Sequence, residues 1–315
     1  MKQKKHILDI IIPQYNDGED VMKTLLDSIS IQQNVDFGTI GVIIVNDGTD
    51  VRLSREFLTS YPFGIDYWLA EHGGISHARQ IGLEVSDADY VMFCDSDDCF
   101  YSVIGLYTIM NVIQSGQFDM LISEFVEEVM YEGKPLYIVH DKDGIFIHGK
   151  VYRNAFLQES NVRWRPELNF HEDVYFNALA ARTAKDLRYI STPFYLWKYN
   201  PNSASRQPGF MRETYDVAIF GNDLLLKEFM ERDMPDIADY YYCYFVMKSY
   251  ITLHTNIWEG YPNLKSDTLM LLALHFKNNK ERWNRLSDEK KKEIAEQLLI
   301  KDIGVVENWM KMVME

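Results

Sequence analysis

The chain has little cysteine: Cys94, Cys99 and Cys243 are the only three in 315 residues. Their spacing fits neither a zinc site nor a disulfide framework, and a reducing, intracellular setting suits them. There is no apolar run long enough to span a bilayer. The longest, Tyr240–Met247, is far too short and is rich in tyrosine. Lys2, Lys4 and Lys5 before Ile7–Ile12 imitate the start of a signal peptide. Asp9 and Pro13 cut that apolar segment short, and no small-residue cleavage site follows. Positive charge is in deficit: 32 Lys and Arg against 47 Asp and Glu give a net charge of −15. That balance disfavours broad electrostatic binding to nucleic acid or to an anionic membrane. No G-x-G-x-x-G follows the first apolar run, which argues against a dinucleotide-binding oxidoreductase. Repeats and low-complexity segments are also missing. The expectation is a cytoplasmic protein, free or peripheral to the inner face of the membrane, with no transmembrane segment.

What is present reads as an ordinary globular chain, 47% hydrophobic and 25% charged, long enough for one large domain or two. The stretch Tyr90–Tyr101 (YVMFCDSDDCFY) stands out. Val91 to Cys94 form a short apolar run, the mark of a buried strand in a parallel sheet. The run leads straight into Asp95, Asp97 and Asp98. Three carboxylates beside a core require a compensating cation, and an all-oxygen set favours Mg²⁺ or Mn²⁺ over zinc. Taken alone, the same residues also read as a solvated acidic loop with capping aspartates.

Upstream, strand and helix alternate. Ile7–Ile12 is a strand ended by Pro13, and Val21–Ile31 is a helix. Ile40–Val45 is a strand closed by Asn46-Asp47-Gly48. A short helix spans Leu53–Thr59, a strand Ile65–Leu69, and a helix opened by Gly73-Gly74 spans Ser76–Val85. Such alternation predicts a parallel sheet with right-handed crossovers. After the acids, Val103–Gln114 is helical. Met120–Met130 and Leu136–Ile147 read as strands about a Gly133-Lys134-Pro135 turn, and Val151–Gln158 as a helix. A helix over His171–Ala181 carries Glu172 and Asp173 in its first turn, where acids suit the macrodipole. Tyr189–Trp197 is extended, and Pro201–Gly209 is a loop. From Met211 the texture becomes helical: Thr214–Met230, Ile237–Thr255, Asp267–Phe276 and Asp288–Ile300. Two domains are expected, 1–210 and an α-helical module 211–315. The aromatic run of the module reads as helix–helix core.

In a parallel sheet the strand ends Pro13-Gln14-Tyr15-Asn16, Asn46-Asp47-Gly48-Thr49 and Asp95-Ser96-Asp97-Asp98 share one edge, where open α/β sheets place their sites. Tyr15 could pack a planar ring. Asp47 could accept from an imide N–H or a ribose hydroxyl, and Asp95 likewise. Asp97 could hold a metal against a diphosphate.

Together, IIIPQYN (10–16), IVNDGTD (44–50), GISHARQIGL (74–83), YVMFCDSDD (90–98) and HEDVYF (171–176) resemble the inverting family 2 glycosyltransferases of the GT-A fold. HGKVYRNAFL (148–157) and YLWKYNPNSAS (195–205) match more weakly. The resemblance implies a Rossmann-like, mostly parallel α/β sheet flanked by helices, and a nucleotide-sugar donor, most often a UDP-sugar. It implies that Pro13, Tyr15 and Asn16 border the nucleotide, Asp47 contacts the uracil, and Arg79 contacts the nucleotide or its phosphates. Asp95 would face the ribose, with Ser96 beside it in the donor site. Asp97 with Asp98 would bind Mn²⁺ or Mg²⁺, and Asp173 would be the catalytic base with Glu172 beside it. The acceptor would be a glycan, a polymer or another hydroxyl-bearing molecule. Three positions depart from the pattern: Gln80 for the usual Asn, Asn-Asp-Gly-Thr for Asp-Asp-Gly-Ser, and Lys198 for Arg. Lysine is a point charge and lacks a bidentate fork.

Each residue also has an ordinary reading. Glu172 and Asp173 are first-turn helix acids, Asp47 a turn residue, and Arg79 a helix-surface cation. His72, His77 and His171 are left outside the metal set, with His171 in reserve. Two rivals remain. A nucleotidyltransferase of similar fold would need a basic, glycine-rich phosphate loop where this chain has the acidic PQYNDGED. A non-catalytic nucleotide-sugar or glycan-binding protein would have no use for Asp97 and Asp173.

Overall fold

The computed structural model describes residues 6–315, so Lys2, Lys4 and Lys5 lie outside the described residues. The chain divides into two compact units after Asn200.

The first unit is built on a nine-stranded sheet. Its strands are β1 (Leu8–Gln14), β2 (Ile40–Asp47), β3 (Gly64–Ala70), β4 (Tyr90–Phe93), β5 (Cys99–Phe100), β6 (Met120–Tyr131), β7 (Lys134–His140), β8 (Lys150–Arg153) and β9 (Leu187–Trp197). They run in the order β3-β2-β1-β4-β8-β6-β9-β5, with β7 paired to β6. The first four strands are parallel to one another. Beyond β4 the pairing is mixed: β8 is antiparallel to β4 and β6, and β6 and β9 are parallel. Helices α1 (Glu19–Ser30), α2 (Arg55–Leu58), α3 (Ile75–Val85), α4 (Gly105–Gln114), α5 (Asn154–Glu159) and α6 (Glu172–Thr183) accompany it. Every residue of β1, β2 and β4 is buried, as expected of a sheet covered on both faces.

Pro13 does not end β1, which continues to Gln14. The last rung to β4 is Cys94 N–H to the Ile11 carbonyl. Strand alternation puts Pro13 on that same side, past the end of β4, where no partner needs the N–H that proline lacks. The largest difference from expectation lies between 136 and 158. The extended strand stops at His140, a loop covers 141–149, and Val151 and Tyr152 belong to β8. Helix begins only at Asn154. The second edge of β4 needs a pairing partner, and that tertiary demand overrides the local helical pattern.

The second unit is helical: α7 (Phe210–Glu213), α8 (Tyr215–Glu231), α9 (Pro235–Leu253), α10 (Pro262–Arg285), α11 (Asp288–Gln297) and α12 (Ile303–Met314). Tyr242, Cys243, Val246 and Met247, from the run Tyr240–Met247, are fully buried core. Asp239 is buried between Arg282 and Arg285. Among the described residues, no helix is long and apolar enough to cross a membrane.

Helix α3 rides close on β1. A Cβ on Gly82 would sit 2.3 Å from Ile11 Cγ2, a branched methyl locked in the sheet. Gly82→Ala is therefore expected to destabilise the fold by about 1–3 kcal/mol through overpacking. In urea unfolding this lowers the midpoint and leaves the slope unchanged; an unaltered midpoint would show that the contact is slack.

Candidate active site

The ends of β1 and β2 meet at Gln14 and Asn46, which are register partners. Both are fully buried. Asn46 Nδ2 donates to Gln14 Oε1 (3.2 Å), to the Val51 carbonyl (2.9 Å) and to Tyr67 Oη on β3 (3.1 Å). Its Oδ1 accepts from Thr49 N–H and Arg52 Nη1. One buried amide thus fixes the loops that follow β1 and β2. Thr49 Oγ1 donates to Asn16 Oδ1. Tyr15 stays exposed and stacks on His72, with centroids 4.8 Å apart. Pro13, expected at the nucleotide, is instead buried inside the strand.

Asp47 is buried, and its carboxylate is fully engaged. It accepts from Gly73 N–H and Gly74 N–H, both at 2.9 Å, and its Oδ2 lies 2.8 Å from His72 Nδ1. Gly74 caps α3 with φ +87, a left-handed value glycine tolerates. A Cβ there would meet Asn169 Oδ1 at 2.1 Å. Ser76 donates to the Leu168 carbonyl at 2.6 Å. The start of α3 therefore touches both the end of β2 and the segment that leads into α6.

Arg79, also on α3, completes the junction. It is 1% exposed. Nη2 donates to Asp95 Oδ1 at 2.7 Å and Nη1 to Glu172 Oε1 at 2.8 Å. The guanidinium lies over Trp164, 4.9 Å from the ring centroid. Expected at the nucleotide, Arg79 is committed to two protein carboxylates. Glu172, expected beside the base, is likewise held by Arg79.

The carboxyls divide by charge environment. Burial alone would raise Asp95, but the Arg79 guanidinium outweighs it and holds that carboxyl below its usual value. Burial raises Asp97, and neighbouring Asp95 adds to it against the Asn200 hydrogen bond. Burial, then Asp95 and Asp97, push Asp98 well up. Asp17, which accepts from Ser96 Oγ at 2.5 Å, is raised mainly by burial. One guanidinium faces a surplus of carboxylates, and that surplus fits a hard divalent cation. Asp97 is the residue placed to hold one: Oδ2 accepts from Asn200 Nδ2 at 2.7 Å, and among the described residues no ion pair neutralises it. Asp98 is differently disposed. Its oxygens accept from Tyr195 Oη (2.6 Å) and Lys198 N–H (2.8 Å), so it anchors the acidic turn to β9. Here Lys198 acts through its backbone.

Among the described residues Asp173 has one hydrogen bond, from Val174 N–H at 2.8 Å. Burial, then neighbouring Glu172, push its carboxyl up to about 7. The histidine that faces the acids is none of the three singled out from the sequence. It is His148, buried, with Nδ1 unpartnered and 3.8 Å from Asp98 Oδ2. Burial lowers it to about 3, so the imidazole is neutral. Donor atoms of Asp95, Asp98 and His148 lie within 4.8 Å of one another. The signal for His148 was its place at the head of HGKVYRNAFL; for Asn200 it was the loop YLWKYNPNSAS.

Residues 9–140 match the family described as Glycosyl transferase family 2. That segment is a family 2 glycosyltransferase domain. The chain's similarity to the uncharacterized glycosyltransferase EpsJ of Bacillus subtilis (strain 168) is 27% identity over 225 residues, 64% of each chain. It is 39% identical over 209 residues to the teichoic acid poly(glycerol phosphate) polymerase of Staphylococcus epidermidis, covering 60% of this chain and 28% of that one. The chain thus spans less than two thirds of the length of these curated relatives. The crystal structure of S. aureus TarS 1–349 in complex with UDP superposes with a TM-score of 0.67 at 15% identity. The match covers 98% of this chain and 90% of that one. The fold is therefore GT-A, with a helical C-terminal region.

A carboxyl with a raised folded pKa contributes stability that is full below its unfolded value and is lost as pH rises through the folded one. For Asp173 that window runs from about pH 4 to about pH 7. Urea unfolding of parent and Asp173→Asn from pH 4 to 8 should show the variant gaining on the parent across this window, with a constant gap above it. A gap independent of pH would contradict a half-buried, disfavoured carboxylate.

Proposed function

We propose that this protein transfers a sugar from a nucleotide sugar, a UDP-sugar, to an acceptor hydroxyl with inversion at the anomeric carbon. One observation carries the reading. Asp173, a carboxyl near pKa 7 with a single backbone hydrogen bond, begins a helix that Arg79 ties to the turn bearing Asp97. A base works best when its pKa lies near the operating pH, and such proton transfer contributes about 10²–10⁴-fold. Supporting the donor assignment, TarS was solved with UDP and with UDP-GlcNAc.

Asp97 would hold Mn²⁺ or Mg²⁺, with Asp98 fixing the turn behind it. The cation, when bound, supplies positive charge against the leaving diphosphate. Tyr15, Asn16, Asp95 and Ser96 would border the nucleotide. Asp95 keeps Oδ2 free of the Arg79 contact, which uses Oδ1. Asp47 would hold the loop at Gly73 and Gly74 in place beside the base, and Pro13 would support the rim from within β1. Asp173 would take the proton from the attacking hydroxyl. Arg79 would hold Glu172 at the junction, where its charge adds to burial in raising the base. We assign 1–210 to the transferase domain and 211–315 to a helical module, acting on the cytoplasmic side.

Titration calorimetry with UDP, with and without Mn²⁺, tests the donor site. Asp97→Ala is expected to lose the metal-dependent part of UDP binding. Asp173→Asn should keep that binding while transfer falls at least about 100-fold. Parental transfer rates in both variants would remove these assignments.

A further inference from the structure

Strand β7 pairs with β6 alone among the described strands, and six of its seven residues are exposed. The two strands form a hairpin around a two-residue turn, Glu132 and Gly133, with φ +49 and +75. Its closing pair is Tyr131 and Lys134. Such turns close on a hydrogen-bonded pair, so alternation points the backbone of Pro135, Tyr137 and Val139 to the open edge. Pro135 has no N–H to offer there, which works against addition of a protein strand. The exposed surface is thus built for something other than another sheet.

One face of the hairpin runs into the active site. Tyr137, 53% exposed, donates from Oη to Glu128 Oε1 at 3.0 Å. Glu128 Oε2 accepts from Tyr199 N–H at 3.1 Å. The next residue, Asn200, holds Asp97. Met130 and Val139 flank Tyr137 on this face and are also exposed. An aromatic ring beside a carboxylate suits a sugar: the ring covers the apolar face, and the carboxylate takes hydroxyl protons. The charge of the hairpin narrows the class further. Glu124, Glu127, Glu128 and Glu132 stand against Lys134 alone across 124–140. A polyol-phosphate chain would be repelled, and a neutral saccharide would not.

We propose that the Tyr137 face of the β6–β7 hairpin is an acceptor subsite that stacks on a neutral saccharide ring and excludes phosphate-bearing polymers. This rests on the transferase reading. The test is saturation-transfer NMR on the full chain with UDP and Mn²⁺. The probes are maltotetraose, cellotetraose, chitotetraose and poly(glycerol phosphate), with UDP binding followed in parallel by calorimetry. At least one neutral oligosaccharide should bind. Tyr137→Ala should weaken it about tenfold or more, and Tyr137→Phe, which keeps the ring, by less than about threefold. Tyr131→Ala, on the opposite face, should match the parent. UDP binding should be equal in all four proteins. Binding of no neutral oligosaccharide, preference for poly(glycerol phosphate), or parental affinity in Tyr137→Ala would overturn the subsite while leaving the donor site standing. Failure of the parent to bind UDP would instead overturn the transferase reading.

Discussion

The architecture of the site depends on one buried cation. Arg79 projects from α3 between the acidic turn after β4 and the first turn of α6, and its guanidinium bonds both. Removing such a charge leaves two half-buried carboxylates unpaired, whereas the intact pair contributes mainly position. Position is what the site requires. The turn carrying Asp97 and the helix carrying Asp173 come from residues far apart in sequence, and α3 is where they join. Asp47 fastens the other end of the same helix through Gly73 and Gly74.

That arrangement separates acids that look alike on paper. Asp47, Asp98 and Glu172 are occupied by protein donors, and Asp95 shares one oxygen with Arg79. Asp97 and Asp173 are left with raised affinity for a proton and no cation in contact. A cation near the first and a hydroxyl proton near the second would each relieve the charge that burial has made costly.

Much of the fold was readable because the first hundred residues repeat one local logic: a β-prone run, buried in β1, β2 and β4, then a polar turn and an amphipathic helix. The long helices after Met211 were readable for the same reason. What was not readable depends on distant pairing. β8 exists because β4 offers an edge, and its Val151-Tyr152 pattern fits a helix equally well. β5 has two residues, too few for any period. α12 lies beyond the last expected helix, which ended at Ile300, and was not anticipated. In the site, residue types were legible but their partners were not. Whether Asp47 faces a ligand or two backbone N–H groups depends on where Gly73 and Gly74 come to rest. His148 was hidden for the same reason, since its meaning comes only from the acids it faces.

The most direct measurement is a double-mutant cycle between Arg79 and Glu172. Urea unfolding at neutral pH of Arg79→Met, Glu172→Gln and the double variant yields the coupling between α3 and α6. A junction made by this contact predicts a coupling above about 1.5 kcal/mol, in the range of contacting, networked residues. Additivity within about 0.5 kcal/mol, as for independent sites, would contradict it.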